Sequence, residues 1–150
     1  MIGYWRAPEL SAQSRIHVDG EDWFITGDTA YQDEDGYLFY PGRDDDLINS
    51  AGYRIGLIAV ENALMEHPAV AECAAVGSPD PDRGEIVKAF IILNENFEKT
   101  ADLVAELQEF VKSQTAPYKY PRRISFVEEL PKTVTGKIQR RKIKEAEYAN

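Results

Sequence analysis

From residue 47 onward the chain alternates short apolar runs with amphipathic stretches; the first 42 residues follow another pattern. Residues 58–66 set Ile58, Val60, Leu64 and Met65 against Glu61 and Glu66, the spacing of a short helix that His67-Pro68 stops. Val70 to Val76 and Ile86 to Leu93 are continuous apolar runs, which predicts strands buried on both faces. Leu103, Leu107, Phe110 and Val111 recur at helical spacing, predicting an amphipathic helix over 101–113. Pro117 and Pro121 bracket a rigid connector, Ile124 to Val127 gives a third strand, and a helix follows from Ile138. Leu47-Ile48 and Tyr53-Arg54-Ile55 flank Asn49 to Gly52, a hairpin with Gly52 at its tight end. The order hairpin, α, β, β, α, β, α predicts an α+β fold: a small three-stranded sheet plus a hairpin, with helices on one face.

The first 42 residues read instead as short strands joined by turns. Trp23 to Thr26 ends in a Gly-Asp turn, and Tyr31 to Tyr40 predicts a hairpin turning at Asp33 to Gly36. No helix is expected here to cover a sheet, so the segment is not a domain in its own right. Its strands 1–42 should be partly disordered, or self-associate through open edges. Pro41-Gly42 then punctuates the chain.

Composition narrows the classes. The 150 residues carry a net charge of −9, which argues against nucleic acid as a main partner. No run approaches the roughly 18 apolar residues of a membrane span, and no signal pattern opens the chain. The single cysteine, Cys73, cannot form an internal disulfide and reads as a packed thiol in a reducing compartment, with the cytosol as default and the mitochondrial matrix open in a eukaryote. The charge is uneven: residues 19–46 hold ten acids and one base, Arg43, whereas 112–144 hold ten bases and two acids, Glu128 and Glu129. Two solvated faces, or a basic surface that meets a polyanion, both fit.

One cation stands apart. Lys137 lies in Leu130-Pro131-Lys132-Thr133-Val134-Thr135-Gly136-Lys137-Ile138-Gln139-Arg140, at the tip of a threonine- and glycine-containing loop before a basic helix. A lysine so placed can swing by several ångströms on a held backbone. That suits a reaction in which one anion attacks another; a solvated lysine in a turn is the alternative.

Three separated motifs share one likeness. They are Trp23-Phe24-Ile25-Thr26-Gly27-Asp28, the run from Gly42-Arg43-Asp44-Asp45-Asp46 to Ala51-Gly52-Tyr53-Arg54-Ile55-Gly56, and the lysine loop. In this order and at these separations the chain resembles the adenylate-forming (AMP-binding) superfamily over essentially its whole length. Within it the chain is most similar to medium-chain acyl-CoA synthetases, on Tyr53-Arg54-Ile55-Gly56, Val60-Glu61-Asn62-Ala63-Leu64, Pro79 to Gly84 and Thr115 to Arg122.

The resemblance implies a carboxylate attacking the α-phosphate of ATP, then coenzyme A displacing AMP to form a thioester. It implies that Lys137 is catalytic and binds nucleotide, that Asp28 accepts hydrogen bonds from the ribose hydroxyls, and that Arg43 lies beside them. Arg54 would reach phosphate or substrate, a role that suits a guanidinium fork. Asp45 would be the hinge between a remnant of the large domain, 1–44, and a mobile C-terminal lid, 45–150. Ala51, Gly52 and Tyr53 would line the pantetheine passage, with Arg83, Lys112, Tyr120, Pro121 and Arg122 as further coenzyme A contacts. Position 51 is alanine where the family often has serine, which removes one hydroxyl from that face. The phosphate loop, adenine and acyl pockets and the magnesium ligands of the family are not found in this sequence. The expected partner is accordingly an upstream adenylation domain, and the chain alone is expected to be inactive. A free-standing interaction module, or the lid of a carrier-protein-loading adenylation domain, are the alternatives.

Overall fold

A computed structural model describes residues 3–149, with only the backbone for Pro41 and Asp45. The chain divides into two compact units between Asp44 and Asp45.

The first unit begins with a helix that apolar spacing did not predict, α1 (Pro8–Gln13). Its causes are polar and local. Pro8 opens the first turn, where no backbone donor is needed, and the Ser11 hydroxyl donates back to the Ala7 carbonyl at 2.9 Å. None of its residues is buried. Strands β1 (Arg15–Val18) and β2 (Glu21–Phe24) pair antiparallel, as do β3 (Asp28–Gln32) and β4 (Leu38–Arg43), in two separate two-stranded sheets. In the second hairpin Asp33 Oδ1 accepts from the Asp35 and Tyr37 amides at 3.1 and 2.9 Å, and Gly36 takes the positive φ of +87°. Every side chain of β1 and β2 is exposed, including Ile16, Val18, Trp23 and Phe24.

The second unit holds the core. A single 3-10 turn, Asp44–Asp46, leads into the hairpin β5 (Leu47–Ser50) and β6 (Tyr53–Gly56), then α2 (Leu57–Met65), β7 (Val70–Asp80), β8 (Gly84–Leu93), α3 (Ala101–Gln114), β9 (Arg123–Phe126) and α4 (Arg140–Tyr148). Strand β8 is the axis. It pairs antiparallel with β7 along its length and parallel with β9 from Lys88 to Ile91, and it meets β5 where Ser50 faces Gly84. The three expected strands and the hairpin thus form one five-stranded sheet.

The expectation of helices on one face is corrected. Leu57, Val60 and Leu64 of α2 and Leu103, Leu107 and Val111 of α3 pack with Cys73, Ala75, Val87, Ala89 and Ile91. On the opposite face Ala74 and Val76 of β7 pack with Leu130 and with Ile143 of α4. Successive strand residues point to opposite faces, so a run apolar at every position requires cover on both. The same runs that predicted doubly buried strands therefore demanded a helix on each side. Helix α3 is capped at its start: the Thr100 hydroxyl accepts from the Leu103 amide at 3.1 Å, Asp102 sits in the first turn and Lys112 in the last.

Candidate functional site

The lysine loop is a pinned turn. Lys132 and Ile138 pair as an isolated antiparallel bridge, and Thr133 and Lys137 face each other, the Thr133 amide donating to the Lys137 carbonyl at 2.8 Å. The Lys137 amide donates to the Thr133 hydroxyl at 3.1 Å, and Gly136 closes the turn with φ +84°. The base is held twice by Gln139, whose amide donates to the Pro131 carbonyl at 2.8 Å and whose side chain donates to the Lys132 carbonyl at 2.6 Å. At the tip the Lys137 side chain is exposed, and among the described residues its ammonium has no ion-pair partner. Other cations of the basic stretch are engaged: Lys132 with Glu72, Arg123 with Asp80, Arg141 with Glu145 and Lys144 with Glu85. Much of the basic stretch is thereby paired with acids of its own unit.

Arg140, the first residue of α4, makes the most elaborate of these contacts. Its Nε and Nη2 donate to the two oxygens of Glu61 at 3.0 and 2.5 Å, and Nη1 lies 3.7 Å from Asp46 Oδ2. Glu61 Oε1 also accepts from the Ala75 amide of β7 at 2.8 Å. The hydrogen bonds to Glu61 hold the guanidinium above its ordinary pKa. The Cys73 thiol lies 3.6 Å from the Glu61 backbone carbonyl, and burial, with the Glu61 charge adding, pushes it up to about 12. Neither Glu61 nor Arg140 was singled out from sequence. The available signal was an acid at position 61 on the face that Leu57, Val60 and Leu64 bury, where an unpaired charge would be costly.

The hairpin tip forms a second surface. Ala51 and Gly52 make a two-residue turn with φ +48° and +85°, and the Ala51 amide donates to the Arg83 carbonyl at 3.2 Å. Arg83 sits in the β7–β8 turn, where Asp80 Oδ1 accepts from its amide at 3.1 Å. Tyr53 stacks on Tyr118 with ring centroids 4.5 Å apart. Two residues on, the Tyr120 ring carries the Lys112 ammonium at 4.2 Å and the Arg122 guanidinium at 5.0 Å. Arg122 also donates to the Tyr120 hydroxyl at 2.9 Å, Lys112 pairs with Glu109, and Pro121 is fully buried. The fold thus gathers Ala51, Gly52, Tyr53, Arg83, Lys112, Tyr120, Pro121 and Arg122, with Tyr118, which sequence reasoning missed, as the link. Arg54 is exposed on β6 opposite Asn49.

The two surfaces lie at opposite ends of β7. Lys132 ties the lysine loop to Glu72, with Nζ 2.7 Å from Oε2, while the hairpin tip meets the Asp80–Gly84 end. Asp80 lies eight positions along the strand from Glu72, about 26 Å at a rise of about 3.3 Å per residue. In the first unit Asp28 and Arg43 are register partners, with Arg43 Nη1 3.5 Å from Asp28 Oδ1, and the Tyr40 hydroxyl lies 3.4 Å from the same oxygen. Asp45 falls in the 3-10 turn, but its side chain lies outside the described residues.

Residues 59–137 match the model of a family described as the AMP-binding enzyme C-terminal domain. This chain belongs to that family. It is 55% identical over 149 residues to the mouse protein named acyl-coenzyme A synthetase ACSM1, mitochondrial, covering 98% of this chain and 26% of that protein. Human ACSM2B, an acyl-coenzyme A synthetase also named mitochondrial, is 55% identical over 148 residues, 97% of this chain and 25% of its own length. The chain therefore spans about a quarter of the curated relatives it matches. Among solved structures, an acyl-CoA synthetase of Brucella canis is 52% identical with a TM-score of 0.69, over 89% of this chain and 24% of that one. An anthranilate CoA ligase, AuaEII, in complex with anthranoyl-AMP, is 42% identical with a TM-score of 0.81, over 97% of this chain and 28% of its own. The expected superfamily and the expected likeness to medium-chain acyl-CoA synthetases both hold.

Proposed function

We propose that this chain is the lid-bearing portion of an ATP-dependent acyl-CoA synthetase, and that its two surfaces serve the two half-reactions in turn. The observation that carries the reading is the separation just described: an unpaired lysine on a pinned loop at one end of β7, and a tight glycine turn ringed by cations and aromatics at the other. Surfaces at the two ends of an 11-residue strand do not address one reacting centre together, so the unit must turn between steps.

In the first step a carboxylate oxygen attacks the α-phosphorus of ATP, a new P–O bond forms and pyrophosphate leaves. Both reactants are anions. The Lys137 ammonium offsets the charge that gathers on the phosphate, an effect worth a few kcal/mol at close range. Asp28 accepts from the ribose hydroxyls, and Arg43, its cross-strand partner, fixes that carboxylate; Arg54, two residues from Gly52 on β6, stands with the hairpin-tip surface and takes no part in this step. In the second step the coenzyme A thiol loses its proton, its sulfur attacks the acyl carbon and AMP departs. Gly52 lets the thin pantetheine arm approach the backbone, since a Cβ there meets nothing of the protein but would intrude on the arm. Tyr53, Arg83, Lys112, Tyr120 and Arg122 give the coenzyme aromatic faces and cations for its phosphates. Among the described residues no group of three or more His, Cys, Asp or Glu is arranged to hold a metal, and the magnesium ligands belong to an upstream adenylation domain. The mouse and human relatives are named mitochondrial, which favours the matrix over the cytosol; among the described residues no helix is long and apolar enough to cross a membrane.

The test is Lys137→Ala in the full-length enzyme. Adenylation should fall about 10²- to 10³-fold, while thioester formation from supplied acyl-adenylate persists. Equal loss of both halves, or none, would sink the reading. The 150-residue chain alone, given ATP, coenzyme A and butyrate or benzoate, should form no acyl-CoA.

A further inference from the structure

Arg140 and Glu61 lie 79 residues apart in sequence and meet through two hydrogen bonds, at 3.0 and 2.5 Å, with Glu61 nearly buried on α2. An ion pair taken partly out of water is a poor way to gain stability, because two apolar residues of like volume usually do as well or better. Its use here is geometric. Glu61 accepts from the Ala75 amide at 2.8 Å, so the carboxylate is fixed to the central strand pair before Arg140 reaches it. Arg140 adjoins Gln139, which closes the base of the lysine loop, and Lys137 stands three residues before it. The remaining guanidinium nitrogen, Nη1, faces Asp46 at 3.7 Å, in the turn just past the division between the two units.

We propose that Arg140 is a positioning residue: through Glu61 it holds the Lys137 loop on the sheet during adenylation, and through Asp46 it ties that loop to the turn from which the unit swings. The inference rests on the function proposed above. An arginine is required because the planar fork satisfies both oxygens of Glu61 and still presents a third nitrogen to Asp46; a lysine offers one point charge. If the anchor loosens, the loop keeps its turn but its tip wanders, and a displacement of about 1 Å at a reacting group can cost about 10²-fold in rate.

The experiment uses the full-length enzyme, with adenylation read by pyrophosphate exchange and thioester formation read from supplied acyl-adenylate. Arg140→Lys and Glu61→Gln should each lower the adenylation kcat about 10- to 100-fold with the KM for ATP little changed and thioester formation within about twofold. The double variant should be no worse than the poorer single one, since both break one contact. Glu147→Gln is the control for a merely structural role. It removes the other well-buried pairing of α4, to Lys88 and Ser78 at 2.7 Å each, and should lower the unfolding midpoint without changing the ratio of the half-reactions. Unchanged adenylation in folded Arg140→Lys and Glu61→Gln would overturn the proposal, as would equal loss in both halves or the same pattern in Glu147→Gln. Should those two variants fail to fold, Asp46→Asn decides: a smaller loss confined to adenylation supports the proposal, and parity with the parent overturns it. Lys137→Ala, measured alongside, separates the two readings. If it spares adenylation the proposed function fails; if it lowers adenylation while the folded Arg140 and Glu61 variants leave it unchanged, only this inference fails.

Discussion

Replacing Gly52 by alanine separates backbone strain from crowding. Gly52 has φ +85°, and a Cβ built on it meets no atom within 4 Å, so the folded-state cost is conformational alone. An L-residue in the left-handed region costs about 1–2 kcal/mol. The less flexible unfolded chain returns about 0.4–1 kcal/mol. The net loss should be about 1 kcal/mol, a fall in Tm of about 4 °C for a unit of this size. Gly77 supplies the contrast. There a Cβ would sit 2.8 Å from Glu85 Oε1 and 2.9 Å from Ile48 Cγ2 inside the core, so Gly77→Ala should cost about 1–3 kcal/mol through overpacking. Urea unfolding followed by far-UV circular dichroism measures both. Tryptophan fluorescence does not, because Trp5 and Trp23 both lie in the first unit. In the full-length enzyme Gly52→Ala should slow thioester formation and spare adenylation. A loss above about 3 kcal/mol for Gly52→Ala, beyond any left-handed penalty, or equal slowing of both half-reactions, would refute the reasoning.

The remaining expectations are simpler. Leu107, fully buried between α3 and the sheet, should cost about 2–5 kcal/mol when cut to alanine; a change below about 1 kcal/mol in urea unfolding would mean that the site collapses freely. Cys73 should resist a thiol reagent at pH 8 until the protein unfolds, and rapid labelling of the native chain would contradict its burial. Because its thiol is raised from 9.0 to about 12, the folded state favours the neutral form: the contribution is fully present below pH 9 and is lost as pH rises from 9 to 12, so Cys73→Ala should flatten that part of the stability profile. In the first unit, where the two hairpins carry exposed apolar side chains and bury no core, amide exchange should be fast in a monomer of this chain, and uniformly slow exchange would count against that.

What the sequence determined by itself was local. The periods of the apolar positions placed α2, β7, β8, α3 and β9, and Gly52 and Gly36 placed two turns, because periodicity and positive φ are properties of neighbouring residues. The quoted motifs also carried the family, since each keeps its residue types at fixed short spacing. Helix α1 escaped because a proline and a serine, not an apolar stripe, start it. Tertiary structure alone decided that α4 covers the face opposite α2 and α3, that Tyr118 joins Tyr53 to the Tyr120 cluster, and that Glu61 receives Arg140. Each of those depends on which residues far apart in sequence the sheet brings together. The antiparallel run of β7 against β8 sets the lysine loop and the glycine turn at opposite ends of one strand, and no window of neighbouring residues contains that distance.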